Sequence, residues 1–502
     1  MLNLLISEQI RLADRYTIEH EPISSVNLME RASNAFVTAF KRFYPNKGQS
    51  ISIYCGTGNN GGDGLAIARL LHNDGFWNIN VKIARFSSKS TSDFDKNLER
   101  LHKTAVHVSN IKEADAFPVE NSDLIIDALL GSGLNKPLEG AWKELVAWLR
   151  SLQKPVISVD IPTGLKSDGI IDDNELAVIA DLTITFQRPK ISFLLPESAS
   201  FINEFYVADI GLDEGFIQSV DTPYILLSDD DILERLKKRK PFSHKGTFGH
   251  ALIIAGAPET MGAALLCAEA SLYTGTGQTT ACIPEEGLIS LNTRIPEVMA
   301  VLRRKQELPA EMRWEKYGSV GIGPGLGVSS TSKAMLKAVL TNYNKPLVLD
   351  ADALNLLAEN VELFANIPEG SILTPHVKEF DRLFGAHSSW WERLATGIVK
   401  AESLNCYIVL KNRYSIIFTP EGTAIFNPTG TPAMATGGMG DVLTGMVTSF
   451  LAQGYSPESA AILGVFLHGR AGEEIQKKEK AAVIPAAILI KEIPKVILSL
   501  SR

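Results

Sequence analysis

The residues best suited to chemistry gather where short apolar runs end. GTGNNGGDG (56–64) leaves the β-branched run ISIYC (51–55) and opens a helical stretch. Glycines at such a turn let backbone amides approach an anion at the helix N-terminus. Asn59 and Asn60 add side-chain amides to it. The first six residues satisfy GxGxxG, but a dinucleotide fingerprint also needs an acid about 20 residues on, at the end of the next strand. That strand ends at Arg85, so a ligand site is expected here without a standard NAD fingerprint. The plainer alternative is a tight strand-to-helix turn with Asp63 as helix cap. Further on, DLIIDALLGSGLNKP (123–137) places Asp127 at a strand end before a Gly131/Gly133 turn, and VISVDIPTG (156–164) places Asp160 at another. Asn60, Asp127 and Thr163 offer only hard oxygen ligands, which suits an alkali or alkaline-earth cation and not zinc. Asp160 is the candidate general acid or base. Either aspartate alone could merely cap its turn; two at matching strand ends point to a shared site.

The second half repeats this logic in HKGTFGHALIIAGAPETMGAA (244–264), GIGPGLG (321–327), LDADALN (349–355) and LTPHVKEF (373–380). Its strongest signal is NPTGTPAMATGGMGDVLTG (427–445). Gly437, Gly438 and Gly440 precede a helix and form a backbone-amide anion hole, with Asp441 beside it. A carboxylate next to an anion hole is what phosphoryl transfer needs: a base for the acceptor hydroxyl and amides for the developing charge. An N-cap role for Asp441 is the alternative.

These clusters require elements to hold them. Strands are predicted at 51–55, 80–86, 123–127, 155–160, 181–186 and 205–213, with helices at 63–75 and 139–153 between them. SDDDILERLKKRK (228–240) puts acids first and bases last, as one helix dipole prefers, with KKRK (237–240) as its solvated end. A second series follows: strands at 251–256, 279–283, 319–323, 346–352, 371–374 and 406–411, a hairpin of 414–420 with 423–427, and helices at 261–274, 329–341, 390–404, 440–452 and 458–477. The class is α/β, parallel sheets covered by helices, in two non-repeating domains whose boundary falls near 211–225. Trp390 and Trp391 receive no role.

The 502 residues are 45% hydrophobic and 21% charged, which excludes a mainly disordered chain. A net charge of −8 argues against a nucleic-acid partner. Four scattered cysteines form neither a disulfide framework nor a zinc ribbon and suit a reducing compartment. No signal peptide and no apolar run of membrane length is seen, so a cytoplasmic protein without a membrane partner is expected.

GxGNNGGDG, IDALLGSGLNKP and VDIPTG together resemble the NAD(P)H-hydrate epimerase domain. KGTFGHALIIAG, GPGLG, LDADALN, LTPHxxEF and NPTGTPAMATGGMGDVLTG resemble the ADP/ATP-dependent NAD(P)H-hydrate dehydratase domain of the ribokinase-like superfamily. Both occur in the order of the bifunctional NAD(P)H-hydrate repair enzymes and cover nearly the whole chain. The resemblance implies a Rossmann-like three-layer α/β/α domain at 1–218 and a ribokinase-like domain at 219–502. It implies that the first interconverts the C6 epimers of hydrated NADH or NADPH. It further implies that the second spends ADP (or ATP), with magnesium, to dehydrate the S epimer. Carried over residue by residue, Asn59, Asn60, Gly61, Gly62, Asp63, Gly131, Ser132, Gly133, Leu134, Asn135, Lys136, Pro137 and Asp160 contact the hydrate, and Asn60, Asp127 and Thr163 bind potassium. In the second domain Ala263, Gly325, His376 and Asp441 meet the hydrate, with Asp441 as base. Lys411, Asn412, Arg413, Tyr414, Ser415, Gly437, Gly438 and Gly440 meet the nucleotide. Asn412 stands where the family often has glycine. A homo-oligomer is expected. The competing readings are a ribokinase-like vitamin or sugar kinase with an appended nucleotide-binding domain, and a binding module without turnover.

Overall fold

The computed structural model describes residues 1–501 except 114, 118, 135, 173 and 174. Its contacts divide the chain into two compact units. One is Asn3–Thr222 with Ser389–Trp391; the other is Pro223–Ser388 and Glu392 onward, with Met1–Leu2.

The N-terminal unit holds a parallel sheet in the order His107–Ile111, Ile79–Ala84, Ile51–Cys55, Leu124–Ala128, Val156–Val159, Ala180–Phe186, Ile202–Ala208. Side chains alternate across a strand, so a run that is apolar throughout must be covered on both faces. Ile51, Ile53, Leu124 and Ile126 enter one core with Phe36, Phe40, Leu65 and Phe94. Tyr54 and Ile125 enter the opposite core with Leu145, Val146 and Leu149 of the helix Gly140–Ser151.

Strand order reverses between Ile51–Cys55 and Leu124–Ala128, and a crevice opens beyond the carboxyl ends of strands at such a point. The backbones approach closely there: a β-carbon on Gly56 would fall 2.0 Å from the Leu129 carbonyl oxygen. Gly56→Ala should therefore destabilise the unit by roughly 1–3 kcal/mol through displaced backbone. The check is the urea midpoint, and an unchanged midpoint contradicts the packing argument.

In the C-terminal unit, ten strands run in the order Tyr224–Leu226, Ala424–Phe426, Ile416–Phe418, Tyr407–Leu410, Ile372–Leu373, Val348–Leu349, Ser319–Ile322, His250–Ile254, Gln278–Pro284, Met299–Arg303. Only Ile416–Phe418 is antiparallel to its neighbours among them. Val409 and Ile417 pack with Ile462 and Phe466 of the helix Pro457–Glu479. Phe418 points the other way and meets Phe380, ring centroids 6.3 Å apart.

Several boundaries differ from expectation for local reasons. The strand expected at 205–213 is Ile202–Ala208, paired in register with Ala180–Phe186. The helix expected over 228–240 ends at Arg235, so KKRK is not a helix end. Pro241 disfavours a helical Lys240, and the Lys237 amide donates to Tyr455 Oη at 3.0 Å. The strand expected at 346–352 is only Val348–Leu349; Ala351 turns at φ +47 and a helix begins at Asp352. Helices Ser7–His20, Ser25–Phe43, Ser92–Leu101 and Ala486–Leu500 were not anticipated, nor were strands His107–Ile111 and Met299–Arg303.

Candidate active sites

The helix after Cys55 begins earlier than expected, at Asn59 with Gly58 as N-cap, so Asp63 is not the cap. Asn59–Gly62 thus form its first turn. A β-carbon on Gly61 would strike the Gly56 carbonyl oxygen at 2.0 Å, and one on Gly62 would lie 2.8 Å from Met29 Sδ. Only glycine lets this turn sit so low over the sheet.

A cavity of about 790 Å³ opens at the crevice, lined among others by Asn59, Asn60, Asp63, Gly131, Ser132, Gly133, Leu134 and Asp160. Lys136 and Pro137 continue that loop without lining the cavity; Asn135 lies outside the described residues. Asp160 is held at φ +63, a left-handed backbone that aspartate tolerates better than most residues. Its Oδ1 accepts from Lys190 Nζ at 2.7 Å, Thr185 Oγ1 at 3.1 Å and the Phe186 amide at 3.1 Å. Lys190 is buried, with 1% of its surface exposed, so its ammonium serves this carboxylate and not the solvent. Asp14, from the helix Ser7–His20, also lines the cavity. Burial pushes its carboxyl up to about 6; Lys190 opposes that rise and Asp160 adds to it. Burial, then the Asp160, Asp14 and Asp93 charges, push Asp63 well above the usual carboxylate range. The site therefore joins an ammonium-paired carboxylate to two carboxyl groups held above their usual range, Asp63 the further of them, a combination suited to general acid–base chemistry. Sequence reasoning missed Lys190 and Asp14.

Asp127 and Thr163 are fully buried. Asp127 accepts from the Thr163 amide and hydroxyl at 2.8 and 2.7 Å, Ser158 Oγ at 2.9 Å and the Leu129 amide at 3.3 Å. Burial raises its pKa against those donors, all of them uncharged. Asn60 Nδ2 is buried with no partner, and Gly131 packs against the same side chain.

In the C-terminal unit two helix N-termini lie side by side. The helix Met439–Ala452 is capped by Gly438 at φ +90, so Asp441 is its third residue and not its cap. A β-carbon on Gly438 would fall 2.6 Å from Leu266 of the helix Met261–Thr274, whose first turn carries Ala263. Ala263 in turn faces Gly325, where a β-carbon would meet Ala263 Cβ at 3.0 Å. Gly325 is left-handed at φ +61, and its carbonyl accepts from Thr260 Oγ1 at 2.6 Å.

Lys411 follows the strand Tyr407–Leu410 and pairs with buried Asp350 at 2.7 Å, whose other oxygen accepts from Thr444 Oγ1 at 2.6 Å. Gly440 lies against this ammonium: a β-carbon there would be 3.4 Å from Lys411 Nζ. Burial, and after it Asp350, push the Asp441 carboxyl up to about 6, while Lys411 pulls down. A carboxyl of that pKa is ionised at neutral pH yet accepts a proton readily, as a general base must. His376 caps the helix Val377–Phe384, Nδ1 accepting the Glu379 amide at 3.2 Å, and bridges Lys411 through the backbone. Asn412 closes a turn with Ser415: its amide donates to Ser415 Oγ at 3.3 Å, and its carbonyl accepts back at 3.1 Å. Arg413 stacks over Tyr414, 4.6 Å from the ring centroid. Gly437 is open, with nothing within 4 Å of a β-carbon position. The structure thus gathers Lys411, Gly440 and Asp441 around Asp350, which lies in the LDADALN run but was not singled out there from sequence.

Among the described residues no three His, Cys, Asp or Glu side chains converge as a metal site, and no helix is long and apolar enough to cross a membrane. All four cysteines are free and buried.

Residues 25–192 match the family described as "YjeF-related protein N-terminus", and residues 251–495 match "NAD(P)H-hydrate dehydratase". A bifunctional NAD(P)H-hydrate repair enzyme of Moorella thermoacetica is 31% identical over 99% of this chain and 97% of that protein. One from Coxiella burnetii is 34% identical over 94% and 95%. The crystal structure of the Bacillus subtilis ADP/ATP-dependent NAD(P)H-hydrate dehydratase, co-crystallised with ATP and magnesium, is 30% identical, covering 55% of this chain and 98% of its own, with a TM-score of 0.49. With both matches in one chain, and a full-length relative above 30% identity, the chain belongs to the family of bifunctional NAD(P)H-hydrate repair enzymes.

Proposed function

We propose that the N-terminal unit interconverts the R and S hydrates of NADH and NADPH, and that the C-terminal unit returns the S hydrate to the reduced nucleotide at the expense of ADP or ATP. The observation that carries this reading is one functional carboxylate per unit, Asp160 paired with Lys190 and Asp441 beside a glycine-built helix N-terminus. The division of labour near residue 218 is supported by compact units that change over at Thr222–Pro223.

C6 of the hydrate carries both a hydroxyl and the ring nitrogen N1. The nitrogen lone pair expels the hydroxyl as water once it is protonated, and water returns to either face. Asp14, with a pKa near 6, and Asp63 are placed to supply that proton, and Asp160 to take one back. In the second unit Asp441 takes the C6 hydroxyl proton as the oxygen attacks the terminal phosphoryl group of the nucleotide. AMP leaves when ADP is the donor. Phosphate then departs from C6 as a proton leaves C5, which restores the C5=C6 double bond. Hydroxide is a poor leaving group and phosphate a good one, which is why a nucleotide is consumed. Magnesium, carried with the nucleotide, offsets phosphate charge that Asp350, Asp352 and Asp441 would otherwise repel.

Potassium is assigned to Asn60, Asp127 and Thr163. Their oxygens fit a hard monovalent cation, and a buried carboxylate with only uncharged donors lacks the positive charge such an ion would supply. Thr163→Val removes one oxygen. Potassium should raise the unfolding midpoint of the wild type above its value in sodium, and that increment should vanish in the variant; equal increments in both proteins would contradict the assignment.

Buried free thiols support a reducing, cytoplasmic setting. A homo-oligomer is expected, and sedimentation checks it. The kinase alternative is not favoured, because the N-terminal match has no part in it. The deciding experiment mixes purified S-hydrate of NADH with ADP, magnesium and potassium and follows NADH absorbance. Recovery that needs ADP and releases phosphate supports the dehydratase; mixed epimers recovering completely support the epimerase. No recovery with either nucleotide would return the kinase reading.

A further inference from the structure

The cavity of the N-terminal unit is lined by charges of both signs. Asp14, Asp63 and Asp160 line it with Lys190, and Arg11 and Arg15 line it from the same helix as Asp14. Residues four apart on a helix are neighbours on one face, so Arg11 and Arg15 share a face of this helix. Both side chains are exposed, and among the described residues neither is ion-paired to a carboxylate. Like charges at this spacing repel, and an anion between them removes the repulsion. Opposite Arg11 stands the glycine turn: a β-carbon on Gly133 would lie 3.9 Å from Arg11 Nη2. A planar guanidinium matches phosphate oxygens in a two-bond fork, which makes arginine the usual choice for this ligand.

We propose that Arg11 and Arg15 form a phosphate-gripping rim, which takes the phosphate groups of the hydrated dinucleotide while its uncharged, hydroxylated ring meets the carboxylates. This rests on the epimerase reading of the cavity. The exposed arginines and the less exposed Asp63 and Asp160 favour ring-first entry, since phosphates leading the way would face those carboxylic side chains. Two phosphate chemistries fit the rim, the diphosphate bridge that every substrate carries and the 2′-phosphate that only the NADPH hydrate carries.

The test compares R11Q/R15Q and R11K/R15K with the wild-type chain, using both hydrates and a melting midpoint to confirm folding. The glutamine pair should raise KM about tenfold or more, with kcat moving far less, and the lysine pair should recover part of the loss. A rise for both hydrates places the diphosphate at the rim; a rise for the NADPH hydrate alone places the 2′-phosphate there. Unchanged KM for both overturns the proposal. Calorimetric titration of ADP-ribose and its 2′-phosphate, with the other unit saturated by ADP and magnesium, reads the rim without turnover. Weaker binding in the glutamine pair upholds it even if no epimerisation is seen, and equal binding overturns it.

Discussion

Asp441→Asn is expected to lower the dehydration rate by about 10²–10⁴, the range for loss of a positioned general base. Asparagine keeps the shape and the polar contacts but cannot take a proton. The glycine amides and Lys411 remain, so nucleotide binding should change much less than turnover. The pH dependence carries a second signature. Because burial and Asp350 push this carboxyl up to about 6, the base is ionised above pH 6 and protonated below it. The wild-type rate should therefore fall on acidification through about pH 6, and this limb should be missing from the residual activity of the variant. NADH absorbance under saturating nucleotide measures both. A variant with full activity would remove Asp441 from its role as base.

Asp160→Asn should reduce epimerisation by a similar factor, about 10²–10⁴, while dehydration of pure S-hydrate proceeds at the wild-type rate. Asparagine also tolerates the left-handed backbone found at this position, so the fold should survive and the loss should report chemistry. Buried Lys190 would then face an uncharged amide instead of a carboxylate, and some fall in stability should accompany the change. Chromatographic separation of the epimers over time measures the rate. Interconversion as fast as in the wild type would revive the idea of a domain that binds without turning over.

Much of the architecture was legible because strands buried on both faces read as short runs rich in apolar and β-branched residues, as ISIYC and DLIID do. The helices Ser7–His20 and Ser92–Leu101 were not legible: each buries only a few residues, Ala13 and Thr17 in the first. Ala486–Leu500 was hidden by Pro494, which argues against a helix from sequence yet sits inside this one. The sites divide in the same way. Asp160, Asp127 and Asp441 announce themselves by glycine turns at strand or helix ends. Lys190 lies a few residues past a predicted strand, where a strand-end rule could have found it. Asp14 had no local signal, because a helix far from every motif in sequence brings it to the cavity.

The backbone at Asp160 also bears on how this chain can drift. With φ at +63, a valine, isoleucine or threonine there would be refused by the main chain before its chemistry mattered. Asparagine and glycine are accepted by the main chain but lack the carboxylate. A lineage that gave up epimerisation would therefore be expected to leave through these two residues, with the sheet around them intact. Descendants carrying either one should be sought as well-folded proteins that have kept only the nucleotide-consuming half of the repair.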